Sequence, residues 1–278
     1  MNAIHDVKSF VMEFHYESKK LWYLAGPAIF TSLCQYSLGA VTQIFAGHVG
    51  SIQLTAASIQ ILLGMGIALE TLCGQAYGAK QKDMLGIYLQ RSWIILNATA
   101  LVLLFLNIFP LSLITEKIEE WAGQFSLWMI PMVFAYAFEF PIMKFLQAQS
   151  KIMTMAVIAG VSFAMHTLLT WLFMLKLGWG LAGGAVILNC SWWFMVTAKM
   201  MYILWGNSCG DAWSGFSWEA FKNLWGFVRL SLAYGVMICL ELWYFMSSIV
   251  VAGYVQDAEI AVNATSIWFV HSPTPTTF

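Results

Sequence analysis

The chain has 278 residues, of which 60% are hydrophobic and 10% are charged, which excludes an ordinary soluble domain, where about 25% of residues are charged. A formal net charge of −1 offers no basic surface to nucleic acid, so no nucleic-acid partner is expected. The five cysteines show no CxxC spacing, so neither a disulfide framework nor a metal site is predicted.

Residues 1–20 are of mixed charge and lack the short apolar core and cleavage site of a signal peptide. Seven apolar stretches follow, each long enough to cross the ~30 Å hydrocarbon layer as a helix of about 20 residues. An eighth begins at Ala258 but has only about ten apolar residues, too few to cross. The sequence therefore predicts an all-α polytopic membrane protein. The seven predicted spans are Leu21–Ala46, Leu54–Ala76, Tyr88–Phe109, Phe125–Phe145, Ile152–Leu175, Leu181–Leu204 and Phe227–Val251.

The basic residues orient these spans. With the N-terminus in the cytoplasm, eleven of the thirteen Lys and Arg residues lie on the cytoplasmic side, and only Lys117 and Lys176 lie outside. Loops rich in Lys and Arg stay in the cytoplasm, so this orientation is favoured. It also excludes a G-protein-coupled receptor, a class of seven-span proteins whose N-terminus is outside.

An internal repeat relates the first span to the seventh. "FAGHVGSIQLTAASI" (Phe45–Ile59) is similar to "VAGYVQDAEIAVNATSI" (Val251–Ile267), at an offset of 206 residues where the two segments begin. Carried backwards, this offset aligns Gln35 with Glu241. Each span then carries a stripe that steps by seven residues along one helix face, which predicts that each face lines a cavity or the interior of a lobe. The stripes are Ala28, Gln35, Thr42 and Tyr234, Glu241, Ser248.

Both copies of the repeat enter the membrane from the cytoplasm, so the repeat is parallel, as in two-lobe transporters. We therefore expect a six-helix N-terminal lobe plus the first helix of a second, pseudo-repeated lobe that is truncated. The predicted domains are a cytoplasmic tail (1–20), the lobe (21–205), a cytoplasmic inter-lobe linker (206–226) and the start of the second lobe (227–278).

"GIALETLCGQAYGAK" (Gly66–Lys80) resembles the second-helix motif of plant-type multidrug and toxic compound extrusion (MATE) transporters. "GHVG" after the first span, "FLQAQSKI" (Phe145–Ile152) and "CLELWYF" in the seventh support the resemblance. It implies two six-helix lobes, helices eight to twelve being missing here. It also implies export of organic cations, flavonoids, alkaloids or citrate against protons or sodium, with no other cofactor. Bacterial members commonly carry an Asp where Thr42 stands, which argues against a cation site at that position.

Two lone acids within predicted spans are candidate functional residues, because an ionisable group in the bilayer is costly. Glu241 lies about twelve residues, or ~18 Å, from Arg229, so no cation on its own helix pairs with it. The resemblance implies proton coupling by Glu241, and a structural acid bonded to a neighbouring helix is the alternative. Glu70 is interpreted as an acid of a gate or of lobe packing, with a transport role equally open.

Other polar residues within the spans have simpler interpretations. Glu139 is expected to be an interfacial acid because Pro141 and Lys144 are near, and Lys199 is expected to extend its ammonium to the interface. His166 either binds substrate or a proton, or bonds to a neighbouring helix, where Asn189 is a plausible partner. The candidates for lining the cavity are Gln35, Thr42, Tyr234, Ser248, His166 and Asn189.

Residues 206–222 have the Gly, Ser and Asn content of a loop. The aromatic residues here predict either an interfacial amphipathic turn on the cytoplasmic leaflet or simply the entry into the seventh span. They are Trp213, Phe216, Trp218, Phe221 and Trp225.

No zinc-ligand spacing, phosphate-binding loop or nucleophile elbow is present in the sequence, so an enzyme is not expected. The favoured hypothesis is a proton-coupled antiporter of the vacuolar or plasma membrane that works by alternating access. Its partners would be the lipid bilayer and a small organic substrate. The alternative is a truncated, transport-incompetent product that at most associates with a full-length partner, with the missing lobe or with a second copy.

Overall fold

The computed structural model describes residues 7–46, 73, 75–114, 128–205, 209–210, 212–222 and 224–252. Within these ranges, described helices contain the first, third, sixth and seventh predicted spans in full and cover most of the fourth and fifth. The second predicted span lies almost entirely outside the described residues. The helices are α1 (Val7–Ala46), α2 (Asp83–Ile114), α3 (Ile130–Ala148), α4 (Ile152–Thr170), α5 (Gly180–Trp205) and α6 (Leu224–Ala252).

The helical prediction is confirmed, and the described chain contains no strand. Two described stretches are long and apolar enough to cross a membrane by length and composition, Ile152–Lys176 and Ala182–Trp205. A π-helical turn, Trp171–Lys176, extends α4. A 3₁₀ turn, Trp218–Phe221, precedes α6.

Helix α4 illustrates how sequence periodicity positions side chains in this fold. Val157, Val161 and Leu168 lie on an exposed apolar face. The opposite face is buried and carries the polar residues, among them Ser162 and His166. This arrangement suits a helix between lipid and a protein interior, because polar groups in a bilayer must find protein partners.

Helix α5 is central to the described bundle, where it packs against α1, α3 and α4. Tyr136 and Trp192 join α3 to α5, with ring centroids 4.2 Å apart. Helix α1 approaches α4 closely at Gly160, where an added Cβ would lie 3.2 Å from the ring of Phe30. A side chain larger than hydrogen at Gly160 would therefore require the Phe30 ring to shift by a few tenths of an ångström.

Helix α1 begins at Val7, inside the predicted cytoplasmic tail. Two local pairs stabilise this exposed beginning. Phe10 stacks on Phe14 at 6.2 Å between ring centroids, and Lys20 donates to Glu17 at 2.9 Å. Pairs three and four residues apart on a helix stabilise it by a few tenths of a kcal/mol each, roughly 0.2–0.5.

The predicted linker is not a free loop but packs along the first half of α2. Gln90 clamps it with two bonds, since its Nε2 donates to the Gly215 carbonyl at 2.9 Å and its Oε1 accepts the Ser217 N–H at 2.9 Å. Gly86 allows the close approach, because a Cβ there would lie 2.7 Å from the Ala212 carbonyl oxygen.

The aromatic residues of the linker divide into two groups. Trp213 is half-buried against Trp93, with ring centroids 6.0 Å apart, and so lies on the inward side of the linker. The other four are exposed, as an interfacial position requires: Phe216, Trp218, Phe221 and Trp225. The difference arises because the linker lies flat on α2 and turns one side inward.

Candidate functional site

Two layers of polar side chains cross the interior of the lobe, and both start from the α1 stripe. We call Gln35, Glu139 and Lys199 the charged layer. We call Thr42, His166, Ser191 and Thr170 the hydroxyl–imidazole layer. Gln35 and Thr42 are seven residues apart on α1, so the layers lie about 10 Å apart along the helix. On this face of α1, Gln35 and Thr42 contact side chains of other helices.

The charged layer joins three helices through one carboxylate oxygen. Lys199 on α5 donates from Nζ to Glu139 Oε1 on α3. Gln35 on α1 donates from Nε2 to the same Oε1 at 3.1 Å. Glu139 and Lys199 are both fully buried. Glu139 Oε2 has no hydrogen-bond partner within the described residues.

This geometry contradicts two expectations. Glu139 is not an interfacial acid, and the Lys199 ammonium does not extend to the interface. The physical reason is that the two residues lie on facing helices at matching depth. Glu139 lies six residues before Phe145, where the fourth predicted span ends. Lys199 lies five residues before Leu204, where the sixth predicted span ends. Each residue is therefore about 8–9 Å from the end of its own span. Opposite charges at equal depth pair with one another instead of each reaching water, and this matched depth was the signal available in the sequence.

The hydroxyl–imidazole layer surrounds the fully buried ring of His166. Its Nδ1 lies 2.9 Å from Ser191 Oγ, and its Nε2 lies 3.1 Å from Thr42 Oγ1 and 3.4 Å from Thr170 Oγ1. Ser191 gives its hydroxyl hydrogen to the Ile187 carbonyl at 2.8 Å. Thr42 likewise gives its hydroxyl hydrogen to the Leu38 carbonyl at 3.0 Å, so each ring nitrogen faces a hydroxyl oxygen that can accept a hydrogen bond.

Asn189 is not the partner of His166, so that prediction is wrong. Its Nδ2 donates instead to the Trp128 carbonyl at 2.9 Å and to the Ala185 carbonyl of its own helix at 2.8 Å. Asn189 and Ser191 are two residues apart on α5 and therefore point in different directions. The rotation of α5 presents Ser191 to the ring.

The α6 candidates are not brought into these layers. Tyr234 and Ser248 are half-buried, and Ser248 Oγ donates to the Tyr244 carbonyl of its own helix at 2.8 Å. The side chain of Glu241 lies outside the described residues, and so does the whole of Glu70.

The chemistry available in the two layers is that of binding and positioning. No group of three or more His, Cys, Asp or Glu residues that could hold a metal ion occurs in the described part of the chain. The charged layer is a neutral ion pair that leaves one buried carboxylate oxygen available. The second layer is a network around an imidazole, in which the hydroxyls of Thr42 and Ser191 also donate to backbone carbonyls of their own helices.

The chain matches the MatE family model over residues 27–172. It is 58% identical over 279 residues to Protein DETOXIFICATION 29 of Arabidopsis thaliana, covering 95% of this chain and 56% of that protein. It is likewise 58% identical over 282 residues to Protein DETOXIFICATION 32 of the same plant, covering 96% of this chain and 55% of that protein. The chain thus spans about half the length of the curated relatives it matches.

Solved structures show the same fold. The crystal structure of the eukaryotic MATE transporter AtDTX14 superposes with a TM-score of 0.80 at 29% identity, covering 92% of this chain and 61% of that one. A MATE protein in the bent conformation superposes with a TM-score of 0.71 at 16% identity, covering 91% of this chain and 60% of that one. The second similarity concerns the fold alone.

Proposed function

The chain belongs to the MatE family, and from this premise we propose that it forms the first lobe, and the first helix of the second, of a secondary active transporter that exports toxic organic compounds. It is a multi-pass membrane protein, as members of that family are. The name DETOXIFICATION of its plant relatives supports export of harmful compounds. The chemical class proposed for the substrate is flat and organic, such as flavonoids, alkaloids or organic cations. We propose no catalysed reaction.

The observation that carries the mechanism is the inward face of α1. Gln35 and Thr42 both bond to residues of the lobe interior. The internal repeat aligns Gln35 with Glu241 on α6, so we propose that Glu241 faces the interior of the second lobe in the same way. A carboxyl group there would take up a proton, lose its buried charge and favour the helix rearrangement that releases substrate. Deprotonation would restore the binding site. Protons are the proposed coupling ion, with sodium as the alternative.

Glu241→Gln tests this mechanism in the protein extended through its second lobe and reconstituted in vesicles. The change removes the charge and nearly keeps the size, so proton-driven transport should be lost while folding is retained. Glu219→Gln is the matched control, because Glu219 is an exposed acid in the linker and should leave transport unchanged. Transport by the Glu241 variant at an unaltered rate and with an unaltered pH dependence would contradict the coupling role.

We propose that the N-terminus and the linker face the cytoplasm, and that the protein resides in the vacuolar or plasma membrane. The excess of Lys and Arg on one side supports this orientation. Single cysteines introduced at positions 117 and 222 should react with an impermeant thiol reagent from opposite sides of sealed cells. Reaction of both from the same side would contradict the topology.

Alternating access requires two bodies that move about a site between them. The 278 residues supply one body and a single helix of the other, so we predict no active transport by this chain alone and at most association with a full-length partner. Uptake into vesicles containing only the purified chain decides the question. Saturable, gradient-dependent uptake would show that one lobe suffices, for instance as a pair of copies.

A further inference from the structure

The charged layer contains a buried carboxylate whose cation is supplied by the chain itself. Lys199 and Glu139 are both fully buried, and they meet between α3 and α5 with Gln35 of α1 bonded to the same oxygen. We propose that Glu139 is a site for a monovalent cation of the first lobe, that the Lys199 ammonium occupies it permanently, and that this carboxylate therefore exchanges no diffusing ion. The inference goes beyond the proposed function, which assigns coupling to the second lobe.

The internal repeat gives the first argument. Gln35 and Glu241 are aligned, so the first lobe has a neutral amide where the second-lobe helix has an acid. The acid that Gln35 contacts, Glu139, comes from a different helix and is already neutralised. A carboxylate that is paired with a cation belonging to the same chain has no charge left for a diffusing ion to compensate.

The ligand chemistry gives the second argument. An alkali cation carries the same charge as an ammonium group and prefers oxygen ligands. Glu139 Oε2 has no hydrogen-bond partner among the described residues and is therefore available as a second ligand. The Gln35 side chain carries an oxygen as well as its NH₂ group, so rotation of the amide would present a third oxygen.

The competing interpretation is a purely structural ion pair. It predicts that the stability of a chain without Lys199 does not depend on which cation is present. In that interpretation the space beside the unpaired carboxylate binds no cation specifically. The proposed site instead becomes accessible when Lys199 is removed, and small cations then bind to it.

The test uses the purified 278-residue chain in detergent micelles at mildly alkaline pH, which limits protonation of the carboxylate. The thermal unfolding midpoint of Lys199→Met is measured in NaCl, KCl and choline chloride at equal ionic strength, choline being too large for the site. We expect a saturable rise in Na⁺ or K⁺ over choline, of about 3 °C at a cation concentration tenfold above the dissociation constant.

Three chains serve as controls. The wild type should respond equally to all three salts, because Lys199 fills its site. Glu139→Gln alone, which leaves a buried ammonium, should also show no specific effect of Na⁺ or K⁺. The double variant Glu139→Gln/Lys199→Met should fold and show no cation preference.

An unfolding midpoint of Lys199→Met that is the same in all three salts would overturn the proposal. A wild type with the same cation preference as Lys199→Met would overturn it too. The remaining case is aggregation of Lys199→Met even in KCl while the double variant stays monodisperse. This also overturns the proposal, because an accessible cation site would have been filled. Since the readout is stability and not transport, none of these results depends on the proposed function.

Discussion

The charged layer and the hydroxyl–imidazole layer lie in the same lobe and share two helices, yet they are stabilised by different bonds. In the charged layer, Glu139 and Lys199 come from two helices and each neutralises the other. In the other layer, the hydroxyls of Thr42 and Ser191 already donate to backbone carbonyls four residues earlier, Leu38 and Ile187, at 3.0 and 2.8 Å.

This difference determines what a single substitution leaves behind. Removing one member of the ion pair leaves an uncompensated charge in a water-excluded interior, which is among the costliest defects in a protein. Removing the imidazole leaves the hydroxyls of Thr42 and Ser191 with their backbone partners. The layers should therefore differ in their sensitivity to mutation, although the ion pair and the imidazole are both fully buried.

The largest effect is expected in the charged layer. Glu139→Leu should destabilise the chain by about 3–5 kcal/mol, because it leaves the Lys199 ammonium buried without its partner. Adding Lys199→Met should recover most of this loss, since two apolar side chains can replace a buried ion pair at little cost. Thermal unfolding of both variants in the same detergent measures the difference. An equal loss in the single and double variants would show that packing, not charge, stabilises this layer.

An intermediate effect is expected in the hydroxyl–imidazole layer. His166→Ala removes two hydrogen bonds and leaves a cavity, so we expect a loss of about 2–3 kcal/mol. Thr170→Val is the matched control, because its 3.4 Å contact to Nε2 is long and should contribute less than about 1 kcal/mol. If His166→Ala lowered the free energy of unfolding as much as Glu139→Leu does, the two layers would not differ in their sensitivity to mutation.

The smallest effect on stability is expected outside both layers, where the linker packs on α2. Gly86→Ala places a Cβ 2.7 Å from the Ala212 carbonyl oxygen, so the linker should shift at a cost of about 1–3 kcal/mol. Gly226→Ala is the control, since an added Cβ there meets open space.

Thiol labelling reports the same displacement. Burial raises the pKa of the Cys209 thiol, and nearby Lys151 opposes that shift only in part. A raised pKa keeps the thiol protonated at neutral pH, and only the thiolate reacts. Releasing the linker should lower this pKa, so labelling of Cys209 should become faster and its pH profile should move to lower pH. Mass spectrometry of the peptide containing Cys209 measures this, and a rate unchanged by Gly86→Ala would show that the linker stays in place.

The sequence predicted some of the contacts in the two layers and missed others. Helical periodicity predicted one face for Gln35 and Thr42, and both bond to buried side chains of other helices. The partners of His166 could not be predicted in this way. Asn189 and Ser191 are both polar residues of α5, and only the rotation of that helix decides which one meets the ring.

The sequence by itself determined the helical class, the membrane setting, the inward stripe of α1 and the family motif. Hydrophobic length and a step of seven residues are properties of one helix, and they need no knowledge of its neighbours. Only the tertiary structure decided that Glu139 and Lys199 neutralise each other and that the linker lies on α2. Contacts between helices depend on the relative depth and rotation of two elements far apart in the chain. In the charged layer, two residues that were expected at the interface form a buried ion pair, because their helices place them at the same depth and facing each other.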